Sequence, residues 1–173
     1  EFPYYRRRYG ARGERYTRSD SAWLVTLAGR SRAVVEEQVG WLGRVLAVRG
    51  MPQWMLERHL MVLQDELVQA VPENAAMYGA LASAADTLGR ARRAYVSDEL
   101  MAACALTFEE RVGSEWSRAI PEAGALLAAA VADEKLGIKR ALASVESWMV
   151  DERRFPPHWI EAVHMTIRRA RNG

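Results

Sequence analysis

Apolar positions recur every three or four residues from Asp20 almost to the end of the chain, and no stretch alternates long enough to read as a strand. Val35, Val39, Leu42 and Leu46 make one stripe. Leu56, Leu60, Leu63 and Leu67 make the next, at the spacing of a bundle seam. Met101, Cys104, Phe108, Val112 and Trp116 share a third face. Two more are carried by Ile138, Leu142, Val145 and Met149, and by Trp159, Ile160, Val163 and Ile167. Between these stripes stand breakers and caps: Gly29-Arg30-Ser31, Gly50, Pro72, Ser97-Asp98, Pro121 and Phe155-Pro156-Pro157.

This punctuation predicts a helix over 22–28 capped by Asp20, and a second over 31–48. A third starts at Pro52, a fourth of small residues covers 73–93, and a fifth is capped by Ser97 and Asp98. A short sixth holds Leu126, Leu127 and Val131, Asp133 caps a seventh, and Pro157 opens an eighth. The fold class is therefore all-α, an antiparallel helical bundle of about seven to eight helices joined by short connections. Residues 20–173 read as one helical domain, with halves at 20–93 and 97–173. Residues 1–19 read as an aromatic and basic arm with too few aliphatics to make a packed helix face.

One pattern occurs twice. Pro52-x-Trp54-x-x-x-x-His59 returns as Pro157-x-Trp159-x-x-x-x-His164, and Trp41 and Trp148 stand on the preceding helices. Two related helical hairpins, with His59 and His164 on equivalent inward faces, follow as an expectation.

Composition narrows the classes. The 173 residues are half apolar, enough for a real core, and the formal net charge is only +2. Such a balance points to nucleic acid or an anionic surface only locally. A lone cysteine, Cys104, excludes an internal disulfide and suits a reducing, cytoplasmic setting, and its place on an apolar stripe marks it as a small core hydrophobe. No apolar run is long enough to span a bilayer, and no secretion signal is recognisable. The chain starts at Glu1 without a methionine, which leaves open whether the natural chain is longer.

Three sets of residues carry candidate chemistry. Two neutral imidazoles in an apolar interior, His59 and His164, are what axial ligation of a haem or other tetrapyrrole needs, with Trp54 and Trp159 packing on the ring. The competing reading is that each histidine packs its ring at the bundle rim. Carboxylates fall mostly in adjacent pairs such as Glu36-Glu37 and Asp65-Glu66, which diverge on a helix and do not form an acid and base pair. Glu161-x-x-His164 has the spacing of a di-iron ligand pair, but has no second copy. Tyr4, Tyr5, Arg6, Arg7, Arg8 and Tyr9 mix guanidinium and aromatic planes, which grip phosphates and stack on bases, or else dock on protein.

The run Arg8-Tyr9-Gly10-x-Arg12-Gly13, then Asp20, then Trp41-Leu42-x-x-Val45-Leu46-x-x-Arg49-Gly50-x-Pro52, resembles a helical module found ahead of the cobalamin-binding domain in bacterial corrinoid-binding regulators. It covers residues 8–72, and 126–171 more weakly resembles the first two helices of the helical cap in those proteins. The Asp-x-His-x-x-Gly motif of their Rossmann-like domain is absent from this sequence, and so is the Trp and Glu-His set of the cap. The resemblance implies a regulatory module and carries cobalamin binding to no residue here.

The leading expectation is a non-enzymatic helical sensor or adaptor acting through protein contacts, with exposed tryptophans as anchors. Tetrapyrrole binding is the alternative, and nucleic-acid binding through the arm is the second. Oligomeric state stays open.

Overall fold

The computed structural model describes residues 2–173, and these are helical almost throughout, with no strand among them. Eight α-helices and one 3-10 turn appear among the described residues. They are α1 (Pro3–Ala28), α2 (Arg32–Val48), α3 (Gln53–Ala70), α4 (Ala75–Arg93), α5 (Asp98–Ala119), α6 (Ala123–Lys135), α7 (Ala141–Met149) and α8 (Pro157–Asn172). Pro72–Asn74 form the turn between α3 and α4. Among the described residues, no helix is long and apolar enough to cross a membrane.

The expected arm is instead the start of α1. It is bent at Gly10, whose φ of 55° and ψ of −149° leave the helical region, a conformation open to glycine because it has no Cβ. Aliphatics are not what holds this segment. Tyr4 is 2% exposed and its hydroxyl donates to the Gly50 carbonyl at 2.6 Å. Arg8 donates to the Ser144 carbonyl at 2.8 Å, and Tyr9 to the Arg49 carbonyl. Asp20 lies inside α1, not at its start. Gly50, at φ 87°, ends the α2 region as its position predicts, and the Arg8 guanidinium occupies the space where a Cβ would stand.

Two buried clusters make the core. Leu24, Leu27, Val35, Val39, Leu42, Leu56, Leu60, Tyr78, Leu81 and Leu88 knit α1 to α4. The second gathers α5 to α8, and also takes Tyr4, Trp54 and Met55. Helix α6 is buried from Ala123 to Asp133 on all sides, as a helix without a polar face must be, and packs on α5, α7, α8, α3 and α4.

Asp133 does not cap α7. It sits near the end of α6, 2% exposed, and its carboxylate accepts from the Gln53 backbone N–H at the start of α3. A second buried polar group, Arg92, donates to Glu57 of α3 and to Asp98 of α5. Both features tie the two clusters together.

Candidate functional site

The cap of α3 is Pro52, whereas that of α8 is Pro156. The two Pro-x-Trp-x-x-x-x-His segments also bury different faces: Leu56 is buried where the matching Glu161 is exposed, and Arg58 is exposed where the matching Val163 is buried. His59 is half-buried and His164 is exposed. They line different depressions: His59 a large cavity beside α1, His164 a groove with Glu152, Glu161 and Arg168. The expected equivalence of the histidines is thus not realised, and the structure does not bring them together as a ligand pair.

The tryptophans part in the same way. Trp159 is fully enclosed, stacked on Phe155 at 4.8 Å, edge-on to Phe108 and near Trp116, with its indole N–H donating to the Met149 carbonyl. It is a core anchor with no free face. Trp54 lines the cavity, and Trp41, at 52% exposure, points to solvent.

The cavity measures about 690 Å³ and lies between α1, α2, α3 and the start of α6. Leu24, Leu42, Leu46, Met55, Leu56 and Leu126 form its apolar wall. These are the inward stripes of α1, α2, α3 and α6, so the wall follows directly from helical periodicity. The segment before Gly10 forms one side through Phe2, Tyr4 and Tyr5.

Most charged groups at its rim are already paired. Arg58 grips Glu122 with two hydrogen bonds, at 2.6 and 2.8 Å, while its guanidinium lies 5.3 Å from the Phe2 ring centre and 5.1 Å from Trp54. Phe2 is thereby clasped to the body through Arg58 and Trp54. Glu122 holds its own backbone at φ 59° to cap α6, an unusual cost for a residue with a Cβ. Arg6 faces Glu14 across 3.8 Å.

His59 is one of the titratable groups that line this space. Its Nε2 lies 3.0 Å from the Ser21 hydroxyl, which in turn donates its single proton to the Thr17 carbonyl at 2.8 Å. The network therefore assigns the Nε2 proton to His59, donating to Ser21, and leaves Nδ1 as the acceptor. This direction is opposite to the one a Ser-His nucleophile needs. Burial pushes the imidazole below its ordinary range, which favours the neutral form, and pushes the neighbouring Asp20 carboxyl upward, partly offset by Arg49.

Among the arm residues, Tyr4, Tyr5, Arg8 and Tyr9 make internal contacts, and Arg6 and Arg7 remain exposed. Burial raises the Tyr4 phenol well above the usual tyrosine range and raises that of Tyr9 as well, with Arg8 opposing both. No three His, Cys, Asp or Glu side chains converge on one point among the described residues, and Glu161 and His164 lie together without a third such ligand. Cys104 is buried, as its stripe predicts.

Sequence patterns did not reveal Ser21, Arg58 with Glu122 or Arg92, and they assigned Asp133 to the wrong helix. Two of these carried a readable signal. Arg92 continues the Leu81, Leu88 stripe, and Asp133 closes the apolar run that begins at Ala123. A charge in an inward position implies a buried partner. The chain matches no family model, no curated protein and no solved structure.

Proposed function

We propose that this chain is a non-enzymatic sensor or adaptor domain whose cavity takes an apolar small molecule with one hydrogen-bonding end. The single observation that carries the reading is the 690 Å³ space itself, which falls in the size range of small-molecule sites and joins an apolar wall to a few polar groups. His59 supplies an acceptor, and Thr17 and Arg18 stand at the rim beside it. One side of the cavity is the α1 segment before Gly10, attached by polar bonds and the Phe2 clasp, so occupancy and the seating of that segment are coupled. A shift in the segment changes the surface offered to a protein partner. The resemblance of residues 8–72 to corrinoid-regulator helical modules points to the same class.

The test fills the cavity. Leu46→Trp places a bulky ring in it, and binding of an apolar fluorescent probe such as anilinonaphthalene sulfonate is titrated in the parent and the variant. The expected result is saturable binding by the parent and loss of most of it in the variant, with unchanged helical circular dichroism. Equal binding by both, or a turnover that depends on one side chain, overturns the proposal.

His59 beside Trp54 also supports the tetrapyrrole alternative in a reduced form, with one histidine in place of two. Haem titration then gives a Soret shift that His59→Ala abolishes and His164→Ala does not. Nucleic-acid binding has less support, because Tyr4, Arg8 and Tyr9 are spent on internal contacts.

A further inference from the structure

Helix α2 has a second face that the core does not use. Val34, Glu37, Trp41, Arg44 and Val48 recur at intervals of three and four residues, so they lie in one row, and all five are exposed. Val34 is 40%, Trp41 52% and Val48 41% exposed, whereas the inward Val35 and Val39 are fully buried. The remaining exposed large apolar residues are Tyr16 on α1, Met61 and Val62 on α3, Met77 on α4, Tyr95 in the turn after α4 and Leu106 on α5, and none of these helices carries three of them in a row at seam spacing. Isolated apolar residues on a surface are ordinary; a row at seam spacing with a tryptophan at its centre is not.

The row reads almost the same in both directions. Val34 and Val48 lie seven positions either side of Trp41, Glu37 four before it and Arg44 three after it. We propose that two copies of this chain pair through this face of α2, antiparallel, about a two-fold axis passing near Trp41. Trp41 then packs on Trp41 of the second copy, Val34 on its Val48, and Glu37 faces its Arg44. The axis makes the Glu37 and Arg44 pair occur twice.

Charge complementarity is what selects a second copy as the occupant. Glu37 and Arg44 are two turns apart, about 10 Å along the helix, too far to pair with each other in one chain. Neither enters an ion pair within the described residues. Reversal of the helix direction brings opposite charges together, whereas a parallel pair sets Glu37 beside Glu37. Gly40 has only the Arg44 guanidinium within 4 Å of where a Cβ would stand, so the backbone beside Trp41 is open to close approach. The pairing rests on α2 alone and does not depend on whether the cavity holds a ligand.

Sedimentation equilibrium of the full chain over a wide concentration range tests it. The parent is expected to be a monomer-dimer system. Glu37→Arg and Arg44→Glu each create two like-charge contacts and are expected to weaken dimerisation about tenfold. The double variant Glu37→Arg with Arg44→Glu exchanges the charges and is expected to recover the parent constant to within about threefold. These positions are exposed, so folding is not at risk, and circular dichroism verifies it. A parent that stays monomeric throughout, or a dimer indifferent to the single reversals, overturns the proposal. So does a double variant as weak as the singles.

Discussion

The carboxylate of Asp133, near the end of α6, accepts a hydrogen bond of 2.9 Å from the backbone N–H of Gln53, the first residue of α3. Eighty positions separate them. Pro52, which occupies the cap position of α3, has no side-chain oxygen, so an acid from another helix answers one of the free N–H groups at that end.

Burial pushes the Asp133 carboxyl from its ordinary 3.8 up to about 7, against the opposing pull of the Gln53 N–H. Between these values the folded chain holds a proton that the unfolded chain has released. Stability should therefore be greatest at or below about pH 4 with respect to this group, and decline as pH rises to about 7, by up to about 4 kcal/mol. Asp133→Asn keeps an acceptor and removes the titration, so urea midpoints should flatten across that window and exceed the parent's at pH 8. Asp133→Ala, compared at pH 4, should lose about 1–2 kcal/mol relative to Asn.

Arg92 is 4% exposed and is held between Glu57, at 3.1 Å, and Asp98, at 2.7 Å. Burial works against its charge, but hydrogen bonds to the two carboxylates outweigh it and raise its pKa. Arg92→Ala leaves Glu57, whose side chain is only 15% exposed, without its closest cation and should cost about 3–5 kcal/mol in urea unfolding. Glu57→Gln should cost much less, because Asp98 still pairs with the guanidinium. Coupling between the two changes in a double-mutant cycle checks that they act as one unit.

Gly124 opens α6 where it passes α5. A methyl there would overlap the Cys104 carbonyl and lie 2.8 Å from the Phe108 Cβ. The obstacle is backbone, so no rotamer change relieves it. Gly124→Ala should destabilise by about 2–4 kcal/mol in spite of its better helix propensity, and thermal unfolding against Gly79→Ala, where the space is empty, provides the control.

Sequence periodicity alone determined that this is an all-α bundle, where most helices begin and end, and which faces of α2, α3, α5, α7 and α8 turn inward. Those properties are local: a stripe at helical spacing, a glycine with left-handed freedom and a proline at a helix start act over a few residues. The aromatic start was misread for the same reason. A face of tyrosines and arginines has little aliphatic content, and its anchors, Gly50 and Ser144, lie far along the chain.

Only the tertiary structure decided that His59 borders a cavity while His164 meets solvent, that Trp159 is sealed by Phe108, Trp116 and Phe155, and that Asp133 serves a helix it does not belong to. A shared spelling specifies neighbours along the chain, but the matching positions Leu56 and Glu161, or Arg58 and Val163, differ in burial because each helix packs against different partners. What surrounds a side chain depends on how the helices pack around it, and packing is a property of the whole chain.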